Sequence, residues 1–174
     1  MPARLSYEES WHRFQDLEDE SVPAPPLPDH IPRPDDDTLG VRFFKTLGEG
    51  EDFRNLTLPR TFFGRSEFND TSFCNADLTE SNMCWNDFIE VDFSNAILVG
   101  CDARSSLFSK VTFASANLSR ADLRHSTFED CDFSGAQMLG TILTRKQGTS
   151  LVLSSEQKTE IAWTDDEGKE PDGG

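Results

Sequence analysis

The sequence predicts an all-β fold: a quadrilateral parallel β-helix with short capping helices at its ends. Three observations carry this reading. From Phe53 to Leu143 every fifth residue is apolar without a break. Reading every twentieth residue returns largely the same residue type. The chain also holds 14 Phe against one Tyr, a bias that a repeated environment explains.

The five-residue register contains ten Phe, six Leu, two Met and one Ala. Neither a 3.6-residue helix nor a two-residue strand produces this spacing. A coil that turns a corner every five residues does. Two residues before each large position stands mostly a small one, such as Ala76, Ser81, Ala96, Cys101, Ser106, Ala116, Ala121 or Ala136. Each corner therefore sends one large and one small side chain into a narrow interior. The twenty-residue columns are Phe53, Phe73, Phe93, Phe113, Phe133; then Leu58, Leu78, Leu98, Leu118, Met138; then Phe68, Phe88, Phe108, Phe128. The remaining corner is mixed. Four corners make one coil, and coils stack at the inter-strand spacing of ~4.8 Å, so nearly five coils give a rod roughly 23 Å long. Glu51 and Leu56 break the small-residue rule, so the first coil is expected to be irregular.

The segments CNADL (Cys74–Leu78), SANLS (Ser115–Ser119) and RADLR (Arg120–Arg124) resemble the A-(D/N)-L-x-x signature of pentapeptide-repeat proteins. The resemblance covers residues 51–145. It implies that the coil is right-handed. It also implies a binding function of one of two kinds. Some members of that family mimic duplex DNA, occupy the DNA-binding saddle of DNA gyrase and protect it from poisons such as quinolones. Others resemble protein-binding scaffolds, including immunity proteins that block toxins passed between bacteria, as in type VI secretion.

The flanks divide by composition. Residues 1–20 read as an amphipathic helix, with Leu5 or Tyr7, Trp11, Phe14 and Leu17 at three- to four-residue spacing. Such a helix either folds back onto the coil or binds a partner. Residues 21–37, rich in proline and acid, read as an extended linker. Residues 38–50, with Val41, Phe43, Phe44 and Leu47, are expected to cap the first coil, whose end would otherwise expose core and unpaired backbone. Residues 146–163 form the second cap. There Ser154 and Gln157 have capping-box spacing ahead of a short helix through Ile161 and Trp163. Residues 164–174 are an acidic tail of disordered composition.

Composition excludes several functions. With 16 basic and 32 acidic residues the chain has a formal charge of −16, opposite to the footprint of a nucleic-acid binder. No apolar run approaches the ~18 residues of a membrane span. The opening MPARLSYEES lacks the basic-then-apolar layout of a secretory signal. Four cysteines without CxxC spacing make neither a disulfide framework nor a zinc site. A reducing, cytoplasmic location is the expectation. Cys101 and Cys131 fall in small-residue slots as inert thiols, whereas Cys74 and Cys84 are expected on the surface. His12, His30 and His125 have no Ser, Cys or His partner in any catalytic spacing, so neither an enzyme, a cofactor nor a metal is expected.

Function then falls to the outer walls. On the fourth face, outward positions include Glu67, Asp70, Asp87, Glu90, Glu129 and Asp130 against a single base, Lys110. Trp85, Ile89 and Leu107 stand at the edge of that face. A tryptophan among carboxylates suits an interface anchor against a basic protein. The third face carries Arg65, Arg104, Arg124 and Arg145 and is expected to be mildly basic. Ten of the sixteen net negative charges lie in the flanks, and residues 51–145 hold 14 acids against 8 bases. Duplex DNA of ~23 Å would present about fourteen charges. The coil is a weak imitation of DNA but an adequate decoy for one basic cleft. The expected partner is a protein with a basic surface, namely a toxin such as a nuclease, with DNA gyrase as the alternative. The free protein is expected to be a monomer.

Overall fold

The computed structural model describes residues 2–16 and 40–165; the linker at 21–37, residues 17–20 of the expected helix and the tail from 166 lie outside the described residues. The chain winds into a parallel solenoid in which each wall residue pairs with the one twenty positions on. Strands β1 (Arg42–Phe44) and β3 (Phe62–Gly64) begin the third face. Strands β2 (Leu47–Glu49), β4 (Glu67–Asn69), β5 (Asp87–Ile89), β6 (Leu107–Ser109) and β7 (Thr127–Glu129) form a five-stranded sheet on the fourth. The other two faces are columns of single bridges, Asp52 to Asp132 and Thr57 to Gln137. Backbone amides alternate in direction along the walls. Ser72 N–H donates back to Glu51 at 2.9 Å, and Phe73 N–H donates onward to Asp92 at 2.8 Å.

The five-residue register is the core. Phe63, Phe88, Phe93 and Phe108 are all but completely buried. Phe68, Phe88, Phe108 and Phe128 stack with centroids 5.8, 5.2 and 5.3 Å apart and planes within 11° of parallel. The neighbouring column meets them edge-on, as Phe88 meets Phe93 at 5.5 Å and 70°. Both arrangements suit the ring quadrupole. The small column tolerates hydroxyls and thiols because each reaches a carbonyl one coil down. Ser106 donates to Met83 O at 2.6 Å, Thr141 to Leu118 O at 2.8 Å and Cys101 Sγ to Leu78 O at 3.2 Å. Asn86 does the same to Phe63 O. A slot that looks merely small is also a donor position, so its polar occupants are satisfied.

Residues 40–50, the described part of the expected cap at 38–50, differ from it. Val41 and Phe43, and then Thr46 and Gly48, occupy the inward small and large positions, and β1 and β2 join the ladder in register. The coil thus begins two corners, half a turn, earlier than the unbroken apolar register. Gly48 hid it by standing where a Phe or Leu belongs; a Cβ there would lie 2.6 Å from the Phe68 ring. Leu56, in a small-residue slot, is nonetheless buried at 1% exposure.

At both ends, side chains stand in for part of a missing coil. At the first end, helix α1 (Tyr7–Asp16) folds back onto the rod. Its start is a capping box, with Glu9 N–H on Ser6 Oγ at 3.2 Å and Ser6 N–H on the Glu9 carboxylate at 2.8 Å. Thr57 N–H points down where no coil exists and donates instead to Ser10 Oγ at 2.7 Å. Ser10 is fully buried. Leu5 N–H, and Arg4 through its guanidinium, take the carbonyls of Asn55 and Asn75 at 2.8 Å each. This favours the fold-back reading of the N-terminal helix.

At the other end, β8 (Ile142–Thr144) leads into α2 (Arg145–Gly148), and α3 (Ser155–Glu160) follows. Each helix starts with a capping box, Thr144 with Gln147 and Ser154 with Gln157. The same two glutamines reach down with their amides. Gln147 Nε2 donates to Leu123 O at 2.8 Å and Ser126 O at 2.9 Å, and Gln157 Nε2 to Phe133 O at 2.7 Å and Ala136 O at 3.0 Å. The helix ends at Glu160, short of Ile161 and Trp163. Ala162–Thr164 is strand β9, paired to β8 in register. Ile161 and Trp163 resume the five-residue register, which outweighs helix continuation.

Candidate protein interface

The fourth-face sheet sets its outward side chains in straight columns. One reads Leu47, Glu67, Asp87, Leu107, Thr127, and the next Glu49, Asn69, Ile89, Ser109, Glu129. Asp70, Glu90, Lys110 and Asp130 line the corner beyond. Rungs this close place Glu67 beside Asp87, carboxylate next to carboxylate. Partial burial, and then the Glu67 charge, push the Asp87 carboxyl above its ordinary range. Glu67 receives Asn69 Nδ2 at 2.8 Å. Glu90 differs: Lys110 Nζ lies 2.8 Å away, and that bond holds the Glu90 carboxyl low and the Lys110 ammonium high. Glu129 and Asp130 are exposed at the last rung. The predicted residues thus lie on one sheet or at its two corners, but Glu67 and Asp87 are the acids in tension with each other.

Trp85 stands on the other corner, in a column that reads Lys45, Arg65, Trp85, Ser105, His125. Its backbone is left-handed, with φ 59°, and its side chain is 37% exposed. Bulky residues rarely take that conformation. An open groove of about 410 Å³ runs past it, lined by Lys45, Leu47, Arg65, Glu67, Trp85 and Asp87 among others. The tryptophan therefore sits between two cations and two acids, rather than among carboxylates alone.

The third face is not basic. Arg104 lies 2.6 Å from Asp102 and 3.8 Å from Asp122, and Arg124 lies 2.7 Å from Asp122. Arg65 and Arg145 stand at its corner. Cys84 also differs from expectation. It is buried, and that burial pushes its thiol up to about 12, as it does for Cys101. A short side chain between rungs ~4.8 Å apart sinks below its longer neighbours. Cys131 is only half-buried in its small-residue slot.

An aromatic patch at the first coils escaped the periodicity, because its residues fall between the register positions. Arg42 lies over the Phe62 ring at 4.3 Å and Lys45 over the Phe44 ring at 5.4 Å. Phe44 and Leu47 are exposed by 45% and 56%. Among the described residues no His, Cys, Asp or Glu cluster could hold a metal ion, and no helix is long and apolar enough to cross a membrane.

The family model for pentapeptide repeats matches residues 66–102 and 106–145 as eight copies. The chain thus carries the repeat of the pentapeptide-repeat family. Among solved structures it superposes on HetL, a pentapeptide-repeat protein involved in heterocyst differentiation regulation in the cyanobacterium Nostoc. The TM-score is 0.57 at 17% identity, over 59% of this chain and 49% of that one. The chain thus spans about half the length of HetL. A pentapeptide-repeat protein of the Arabidopsis thaliana thylakoid lumen gives a TM-score of 0.52 at 25% identity, over 65% and 72% of the two chains. The plasmid-mediated fluoroquinolone resistance protein QnrB1 superposes at 0.47 with 15% identity, over 59% and 64%, too loosely for its activity to be carried across. No curated protein matches the sequence as a relative.

Proposed function

We propose that this protein is a non-catalytic, cytoplasmic inhibitor that binds a basic protein through its fourth face, as an immunity protein binds a bacterial toxin. The observation that carries the reading is the Glu67–Asp87 pair. Two adjacent carboxylates, one raised by partial burial and then by the charge of the other, are stabilised by a cation brought from outside. Trp85, Ile89 and Leu107 supply apolar area beside them, and a chain charge of −16 steers a cationic partner in. A nuclease, which needs a positive cleft for phosphate, has the matching surface.

The test is co-expression with the product of the adjacent reading frame. The expected result is a stoichiometric complex and rescue of a strain that the neighbour kills. Charge reversal at Asp87 and Glu67 should abolish both. If the adjacent frame is harmless, and the protein instead restores gyrase supercoiling in the presence of a quinolone, the topoisomerase reading replaces this one.

A further inference from the structure

The fourth-face sheet stops one rung before the molecule does. Its order is β2, β4, β5, β6, β7, with nothing among the described residues paired beyond β7, whereas the third face gains β9 on β8. The missing rung shows at three levels. The corner amides of Asp70, Glu90 and Lys110 donate to Ile89, Ser109 and Glu129 at 3.0, 2.9 and 2.7 Å. The Asp130 N–H, next in that column, has no backbone acceptor among the described residues. In the core, Phe68, Phe88 and Phe108 are at most 1% exposed, but Phe128 is only half-buried. The next large position in its column is Gly148, which carries no ring. Residues 149–154 pass between α2 and α3 with Leu153 buried, yet none of their backbone pairs with β7.

The gap is a groove of about 390 Å³ lined by His125, Thr127, Phe128, Lys146, Gln147 and Ser150 among others. His125 Nε2 is buried there without a hydrogen-bond partner among the described residues. On the outer side stand Glu129 and Asp130, neither of which is bridged by a described cation.

We propose that the open edge of β7 accepts an extended segment of a basic partner protein as the sixth strand of this sheet. An aromatic side chain of that segment would stack on Phe128, and its flanking cations would meet Glu129 and Asp130. Strand addition to an exposed edge gains affinity from main-chain bonds and specificity from alternate side chains. The chain's own tail is a poor occupant. Residues 166–174, DEGKEPDGG, offer no large apolar side chain and four acids against one base. The inference rests on the fourth face as the docking face and adds where on it the partner's chain lands.

The probe is a nine-residue synthetic peptide with Lys-Thr-Phe-Thr-Lys at its centre, titrated by NMR into the full-length protein. Binding tighter than about 1 mM is expected, with shifts centred on Thr127–Cys131. N-methylation of the peptide amides that face β7, or Phe-to-Gly at its centre, should weaken binding about tenfold or more, consistent with losing one or two hydrogen bonds or a stacked ring. E129K with D130K should do likewise, as should Phe128→Leu, which keeps the core filled. Because the N-methyl peptide leaves the protein untouched, the result does not depend on any variant folding. Absence of binding, or indifference to N-methylation, overturns the proposal. Shifts centred on Trp85 and Asp87 overturn it as well, but leave the docking face standing. Binding at β7, with a toxin complex that survives charge reversal at Asp87 and Glu67, does the opposite. Dimerisation of the free protein through β7, seen by sedimentation, overturns it in favour of a second copy.

Discussion

At the level of single residues, the corners set the terms. Every described fifth residue from Lys45 to Gly140 is left-handed, with φ between 49° and 71°, and most are not glycine. The left-handed conformation costs roughly 1–2 kcal/mol for an L-residue. The stacked coils over-determine it, and glycine is the unstrained occupant. Gly100 isolates the effect. Its φ is 66°, and an added Cβ would meet only the Glu80 side chain at 3.6 Å, an ordinary contact. Gly100→Ala is expected to lower stability by about 1 kcal/mol, read as a shifted urea midpoint with an unchanged slope. The corners also explain a gap in the sequence reading. The five-residue register locates every corner, but Glu80, Trp85 and Arg120 bear no compositional mark of a left-handed backbone. Only stacking imposes it.

Asp87 gives a residue-scale test with a definite sign. Its folded pKa stands above its unfolded one, so the fold disfavours the carboxylate. The penalty is absent where both states are protonated and grows as the pH rises through the raised folded value. Asp87→Asn should therefore raise the melting temperature at pH 7, by an amount worth less than about 1 kcal/mol for a group this accessible. The gain should fade toward about pH 3, where aspartate is largely protonated. A melting series at the two pH values checks both sign and window. An equal gain at both would place its cause outside ionisation.

At the level of elements, the two ends solve one problem with different side chains. The end coils leave amides and carbonyls facing outward, and each unpaired buried group costs about 1–3 kcal/mol. Ser10 supplies an oxygen where an amide needs one, and Gln147 and Gln157 supply amides where carbonyls need them. The Ser154–Gln157 capping box was legible from spacing alone. The second task of Gln157, the downward amide, was not, because it depends on which coil lies underneath. Gln157→Ala removes the box and two carbonyl contacts together. A loss of about 2 kcal/mol is expected, with early hydrogen exchange at α3 and β9 and an unchanged core from Phe63 to Phe113. A uniform loss of protection along the rod would instead mean that the cap and coil unfold as one unit. The first coil was illegible for a related reason. With Gly48 in a large slot the periodic signal breaks, although the backbone ladder does not.

At the level of the whole molecule, the interior is consumed by its own stacking, and the walls divide the charge unevenly. Arg104 and Arg124 neutralise their own wall, whereas Glu67 and Asp87 leave theirs negative. Residues 51–145 were legible as a rod because an inward side chain obeys the period. Wall chemistry obeys none, so the acids could be assigned to a face while their pairing could not: Glu90 is bridged and Asp87 is not. This asymmetry separates two effects on binding. Charge on the wall acts at long range and governs encounter, and a buried aromatic anchor governs residence. With a basic partner, E67K with D87K should lower the association rate about tenfold at low ionic strength, and the difference should shrink as salt shortens the screening length to ~8 Å near 0.15 M. Trp85→Ala should leave association nearly unchanged and raise the dissociation rate. Surface plasmon resonance at three salt concentrations reads both constants. A charge-reversal effect confined to dissociation would mean that the acids act as local contacts and that the field of the rod steers nothing.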